Sequence, residues 1–296
     1  MKHTLTTDKK SIHYHYDVSN DFYKLFLDKN LVYSCGYFRQ TADDLDAAQE
    51  NKLEHICRKL RLQPGETLLD IGCGWGGLIR YAVKHYQVRA TGITLSDQQF
   101  IYAQEQIKKA GQEMTCQVKM QDYRELSEME SFDKIVSVGM IEHVGTNNLP
   151  VYFTKIFRLL KQDGLFLSHG ITTATGKKGI PGASKFIDTY VFPDGELQDI
   201  SYLQNVMEQS GFEILDVESL RTHYAKTLQL WTTRLQNNSK KALGLVDEKT
   251  YRIWLIYMAG CAAAFTIGTV GIYQVLLAKH SGNFSPIPLT RKDIYI

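Results

Sequence analysis

The residues with the clearest chemical meaning are Gly72-Cys73-Gly74-Trp75-Gly76-Gly77, six positions holding four glycines. They follow a short apolar run over residues 67–71 and open a stretch in which Trp75, Leu78, Ile79, Ala82, Val83 and Tyr86 recur at helical spacing. A strand, a glycine turn and a helix in that order let backbone amides approach a ligand where a side chain would collide, with a helix N-terminus behind them. The turn satisfies GxGxxG, so a nicotinamide dinucleotide is one reading. That reading calls for an acidic residue about 20 positions further on to hold the ribose. The next strand ends instead in Gly92-Ile93-Thr94, and the nearby carboxylate is Asp70, directly before the turn. A tight connection without a ligand is the bland alternative, and the strand-to-helix context weighs against it.

Composition narrows the chemistry. Thirty-four Lys and Arg stand against thirty-two Asp and Glu, a formal charge of +2, which is too balanced for the electrostatic footprint of a nucleic-acid binder. The five cysteines, Cys35, Cys57, Cys73, Cys116 and Cys261, form no CxxC pair, so neither a disulfide framework nor a zinc site is indicated and a reducing cytoplasm is expected. Residues 1–11 carry lysines but no apolar h-region, unlike a secretory signal.

The elements that must position the turn follow from periodicity. From Pro64 the chain alternates strand-like runs with helix-like ones, the pattern of an α/β domain with a parallel sheet. Strands are predicted at residues 67–71, 88–93, 116–120, 135–138, 165–171, 212–217 and 272–278, and Ser96-x-x-Gln99 reads as a capping box. One elaborated domain over residues 1–296 is expected. It comprises an N-terminal helical cap (1–60), a core (61–221 with 270–280), a helical insertion acting as a lid (222–269) and a loosely attached tail (281–296). Residues 253–278 contain no charged side chain, and ~20 apolar residues suffice to cross a bilayer. Gly260, Gly268 and Gly271, with Thr266, Thr269, Tyr273 and Gln274, interrupt the run, so a core helix followed by a core strand is the reading preferred.

The string Leu69-Asp70-Ile71-Gly72-Cys73-Gly74-Trp75-Gly76 resembles the first motif of the Rossmann-like S-adenosylmethionine methyltransferases. Further segments resemble the cyclopropane fatty acid synthase family, including the mycolic acid cyclopropane synthases. They are residues 15–22 (HYDVSNDF), 33–38 (YSCGYF), 139–145 (GMIEHVG) and 223–228 (HYAKTL), and the similarity runs in matching order from about His13 to Lys279. The resemblance implies a class I methyltransferase fold, a seven-stranded, mostly parallel sheet with helical N-terminal and insertion caps. It implies cofactor contacts at Tyr33, Ser34, Asp70, Gly72, Gly74, Gly76, Thr94, Leu95, Gln99, Asp122, Tyr123 and Gly139. It also implies a bicarbonate ion held by Glu142, His169, Tyr224, the backbone of Cys35 and the carbonyl of Ile171, and it places Cys261 near the active site. For Cys261 we prefer a packing role, because a small thiol in an apolar helix usually packs and the chemistry needs no covalent enzyme intermediate.

The implied reaction joins a sulfonium methyl to the cis double bond of an unsaturated fatty acyl lipid. An isolated alkene is a weak nucleophile, so attack leaves a cation that must be kept from water, and a proton must leave the new methyl before a ring closes. Aromatic faces stabilise cations without attacking them, and Tyr14, Tyr16, Phe22, Tyr23, Tyr33 and Phe38 are candidates for that lining. Glu142 acting directly as base is the rival to bound bicarbonate. A relative that leaves a methyl or methylene branch, or one that methylates another small molecule, fits the same motifs. A lipid acceptor implies peripheral contact with the inner membrane face, toward which Lys177-Lys178 is a candidate; a homo-oligomer is compatible with all of this.

Overall fold

The computed structural model describes residues 19–174, 176, 182–191, 195–280 and 288–295. Tyr14, Tyr16, Lys177 and Lys178 lie outside the described residues. The described chain opens with one helical turn, α1 (Asn20–Tyr23), and α2 (Leu45–Lys59). Then β1 (Thr67–Ile71), α3 (Gly77–Tyr86), β2 (Arg89–Thr94), α4 (Asp97–Lys109), β3 (Cys116–Met120) and β4 (Phe132–Val138) alternate. They are followed by α5 (Ile141–Val144), α6 (Leu149–Leu159), β5 (Leu160–Thr173), α7 (Ala183–Tyr190), α8 (Ile200–Gln209) and β6 (Glu213–Ser219). The insertion α9 (Arg221–Asn237), α10 (Ser239–Ala242) and α11 (Glu248–Ile267) leads into β7 (Val270–Ala278).

The strands form one sheet in the order β3-β2-β1-β4-β5-β7-β6. β1 to β5 pair in parallel, and β7 runs antiparallel between β5 and β6. This is the mostly parallel α/β sheet that the alternation predicts. Strand order reverses between β1 and β4, so their carboxyl ends splay apart and leave a crevice. Local signals set the helix ends. Asp44, Ser96, Asp199 and Asp247 each cap a helix by accepting from the amide three residues on, and Gly268, at φ +81°, ends α11 where a left-handed residue is required.

Apolar side chains cover the sheet on both faces and above its carboxyl edge. One face packs β1 and β5 against α2, α3 and α4 through Leu53, Ile56, Leu68, Ile79 and Leu167. The other packs against α6 and α8 through Phe153, Ile156, Phe166 and Val206. Above the edge, α1, α9 and α11 enclose Phe22, Tyr23, Phe26, Trp231 and Trp254.

Three expectations need correction. The predicted cap over residues 1–60 is not one unit: α2 buries Leu53, Ile56 and Cys57 in the sheet core, because its apolar positions face β1 and α3. The tail is not loosely attached over residues 288–295, where Arg291 pairs with Asp216 at 2.8 Å, Asp293 with Arg61 at 2.7 Å, and Ile294 is buried. The capping box is half formed. Ser96 caps α4, but the Gln99 side chain turns away and its Oε1 accepts from Thr94 Oγ1 at 2.8 Å. The apolar stretch after residue 253 divides as expected into α11 and β7. Among the described residues α11 is long and apolar enough to cross a membrane by length and composition, and Trp254, Tyr257, Met258, Ala262 and Phe265 form one inward face.

Candidate active site

The crevice at the ends of β1, β2 and β4 is lined by eleven of the twelve residues expected to meet the cofactor: Tyr33, Ser34, Asp70, Gly72, Gly74, Thr94, Leu95, Gln99, Asp122, Tyr123 and Gly139. Gly76 is the exception. At φ +77° it starts α3, and a Cβ there would stand 3.1 Å from Ala103 Cβ, so its smallness serves the packing of α3 on α4. Gly74 (φ +55°) and Gly139 (φ +69°) have open space where a Cβ would project, whereas at Gly72 (φ +79°) a Cβ would strike Met140 at 2.6 Å. Two left-handed backbones bare to the same crevice make a cradle that side chains would fill, and that cradle fits S-adenosylmethionine. The Gly74→Ala variant is therefore expected to bind S-adenosylhomocysteine about tenfold more weakly by titration calorimetry while losing only ~1–2 kcal/mol of stability. Wild-type affinity would remove Gly74 from the site.

Charges along the crevice are handled locally. Asp122 accepts from two of the Arg124 guanidinium nitrogens, Nε at 2.8 Å and Nη2 at 2.7 Å. Asp70 is buried, which raises its carboxyl to about 7, against the opposing pull of Lys52. The front segment lies over the turn: Trp75 Nε1 donates to Asn20 Oδ1 at 2.7 Å, and a side chain at Gly77 would meet the Asn30 carbonyl at 3.3 Å.

Met140, His143 and Val144 line the crevice, and Glu142, on the same helical turn, is buried against β5. Its Oε1 accepts from the Ile171 amide at 2.7 Å, while its buried Oε2 has no partner among the described residues. Burial pushes the Glu142 carboxyl up to about 7, against the pull of that amide. In a strand, the amide and carbonyl of one residue point to the same side, so the Ile171 carbonyl opens toward Glu142 as well. His169, two residues earlier on the same face of β5, is fully buried, and burial holds it well below the usual histidine range, hence neutral. Gln274 Nε2 lies 3.4 Å from His169 Nδ1, and His169 Nε2 is buried without a hydrogen-bond partner among the described residues.

A chain of contacts links the remaining residues. Ile171 pairs with Ile272 of β7, the Ile272 carbonyl accepts from Leu220 at 2.9 Å, and the Leu220 carbonyl accepts from the Tyr224 amide at 3.0 Å and faces Cys35 Sγ at 3.8 Å. Two of the motifs read from sequence dock on each other: Gly36 N donates to Thr227 Oγ1 and Phe38 N to His223 Nδ1, each at 3.0 Å. Tyr33 stacks on Trp231 with centroids 5.2 Å apart, and Tyr224 meets the same indole edge-on at 6.0 Å.

Phe22 and Tyr23 are placed differently from the expected channel lining. Each packs against Phe26 and Trp254 at full burial, because one turn of α1 buries both rings, and Phe38 lies on the outer side over His223 under Lys226. Trp231 and Trp254, the indoles at the centre of this block, were not singled out from sequence; their helical spacing reads only as core. Cys261 packs against the same cluster, and burial raises its thiol to about 12, which leaves it protonated and unreactive at neutral pH.

Comparison with known proteins agrees with this geometry. The family model described as mycolic acid cyclopropane synthetase matches residues 3–275. A probable fatty acid methyltransferase of Pseudomonas putida is 47% identical over 296 residues, covering 99% of this chain and 75% of that protein. The solved cyclopropane synthase MmaA2 from Mycobacterium tuberculosis superposes with TM-score 0.90 at 35% identity, covering 94% of this chain and all of that one. Mycolic acid cyclopropane synthase CmaA1, solved with SAH and CTAB, gives TM-score 0.88 at 37% identity, covering 94% and 99%. The chain thus belongs to the mycolic acid cyclopropane synthetase family and is an S-adenosylmethionine-dependent methyltransferase.

Proposed function

We propose that this enzyme adds a methylene unit to the cis double bond of an unsaturated fatty acyl chain and closes a cyclopropane ring, with a bicarbonate ion held beside the cofactor. The observation that carries the reading is that Glu142 Oε2 and His169 Nε2 are both buried polar atoms without a hydrogen-bond partner among the described residues, one on α5 just past the end of β4 and the other on β5. A neutral imidazole N–H and a carboxyl without a partner fit a small anion that is both acceptor and donor. When bound, the cofactor supplies an electron-poor methyl and the anion a base for the proton that leaves it.

The chain's own groups do the rest. Glu142, anchored by the Ile171 amide, takes or shares a proton at Oε2. His169 Nε2 and the Tyr224 hydroxyl donate, with Cys35 backbone and the Ile171 carbonyl completing the holder. The Tyr33 and Tyr224 rings, backed by Trp231, exclude water and stabilise a cation on the acyl chain by ~0.5–2 kcal/mol each. Tyr224→Phe is expected to slow ring formation by about 10- to 100-fold, the loss of one hydrogen bond to a charged group, without altering S-adenosylhomocysteine affinity.

The 47% identical relative is called a fatty acid methyltransferase, which favours, as a second reading, a product with a methyl or methylene branch. Purified enzyme incubated with labelled S-adenosylmethionine and lipids of defined unsaturation decides between them. Proton NMR of the product shows high-field cyclopropane methylene signals in the first case and vinylidene or branched-methyl signals in the second. Absence of label in every lipid would sink both.

A further inference from the structure

We propose that Lys52 is a further cofactor-binding residue, its ammonium taking the α-carboxylate at the methionyl end of the cofactor while Asp70 faces the adjoining α-ammonium. The proposal deepens the cofactor assignment and is independent of the acyl chemistry. Lys52 lies on α2, is 2% exposed, and lines the crevice together with Asp70 and Ser34. Its Nζ donates to Ser34 Oγ at 2.8 Å, which leaves N–H groups to spare.

The contrast with Lys59, two turns further along the same helix, carries the argument. Lys59 is equally buried, but Asp216 and Glu218 stand 2.9 and 2.7 Å from its Nζ. Among the described residues no carboxylate lies within 4.0 Å of Lys52. Asp28, the other buried acid in its field, is already bonded to the amides of Asn30 and Val32. A buried ammonium that lacks an ion partner is costly, and such a group at a crevice wall is characteristic of a ligand site.

The electrostatics agree with that geometry. Burial draws the Lys52 ammonium down to about 8, against the pull of Asp28, and raises the Asp70 carboxyl to about 7. Each group is therefore poised to gain a counter-charge, and an α-amino acid end presents one of each sign. A dinucleotide or a methylthioadenosine fragment offers no such pair.

The test is calorimetric binding at pH 7 of S-adenosylhomocysteine and of its decarboxylated analogue to wild type, Lys52→Met and Lys52→Arg. Wild type is expected to prefer the carboxylate-bearing ligand by about 10- to 100-fold, the range for a charge-assisted hydrogen bond. Lys52→Met should abolish that preference while leaving analogue affinity unchanged, and Lys52→Arg should keep most of it. An equal loss for both ligands in Lys52→Met, or an unaltered preference, overturns the proposal. If the methionine variant does not fold, absence of a preference in wild type or its loss in the arginine variant does the same. Failure of wild type to bind either ligand would overturn the cofactor assignment itself.

Discussion

Glu142→Gln should lose ring formation by about 10²- to 10³-fold, within the range for a positioned acid–base group, while binding S-adenosylhomocysteine as wild type does. The amide keeps the oxygen that accepts from Ile171 but cannot take a proton at the position of the orphaned Oε2. Because the carboxyl sits at about 7, wild-type rate should rise with pH through that region and the variant should show no such step. Stability supplies an internal control. The folded value lies above the ordinary 4.5, so the stability tied to this group is fully present below 4.5 and is lost as pH rises through about 7. Glu142→Gln escapes that loss and should melt at a higher temperature than wild type at pH 8. A variant with full ring-forming activity would remove Glu142 from the mechanism.

The largest effect on stability is expected at Lys59, whose ammonium holds together two carboxylates brought from β6. Glu218 also meets His55 Nε2 at 2.6 Å, and Arg291 of the tail meets Asp216. Lys59→Met fills the space but leaves the buried Asp216 and the half-buried Glu218 with one cation fewer, a change that costs ~3–5 kcal/mol, or a fall of about 10 °C in melting temperature. Burial opposes the Glu218 charge, yet the hydrogen bonds and charges of His55 and Lys59 bring it down to about 2 from 4.5. Its contribution is therefore present above 4.5 and is lost as pH falls toward 2. Calorimetric melts from pH 7 to pH 3 should show that decline in wild type and a shallower one in Lys59→Met. A variant within 1 kcal/mol of wild type at pH 7 would mean that the network is dispensable.

The sheet was legible because its signals are local. Residues 67–71 followed by a glycine turn can scarcely be other than strand, turn and helix, and β1 has the predicted bounds. Edges elsewhere moved by a few residues, as β5 did, because pairing with β4 and β7 prolongs it to Leu160–Thr173. The assignment of α2 to the cap failed for a related reason: a helix buried on one face shows its period but not its neighbour.

What the amino-acid order determined by itself was the cofactor turn, where positive φ at Gly72, Gly74 and Gly76 is a demand each residue must meet alone, and the alternation that makes the sheet. What only tertiary structure decided was partnership. Gly36 finds Thr227 across 191 residues, and Ile171 finds Glu142 across 29. Lys52 and Lys59 read alike on α2, and only their surroundings make one a structural ion pair and the other an ammonium at the crevice. Burial and opposing charge set what a titratable group can do, and both arise from neighbours that the order of residues does not name.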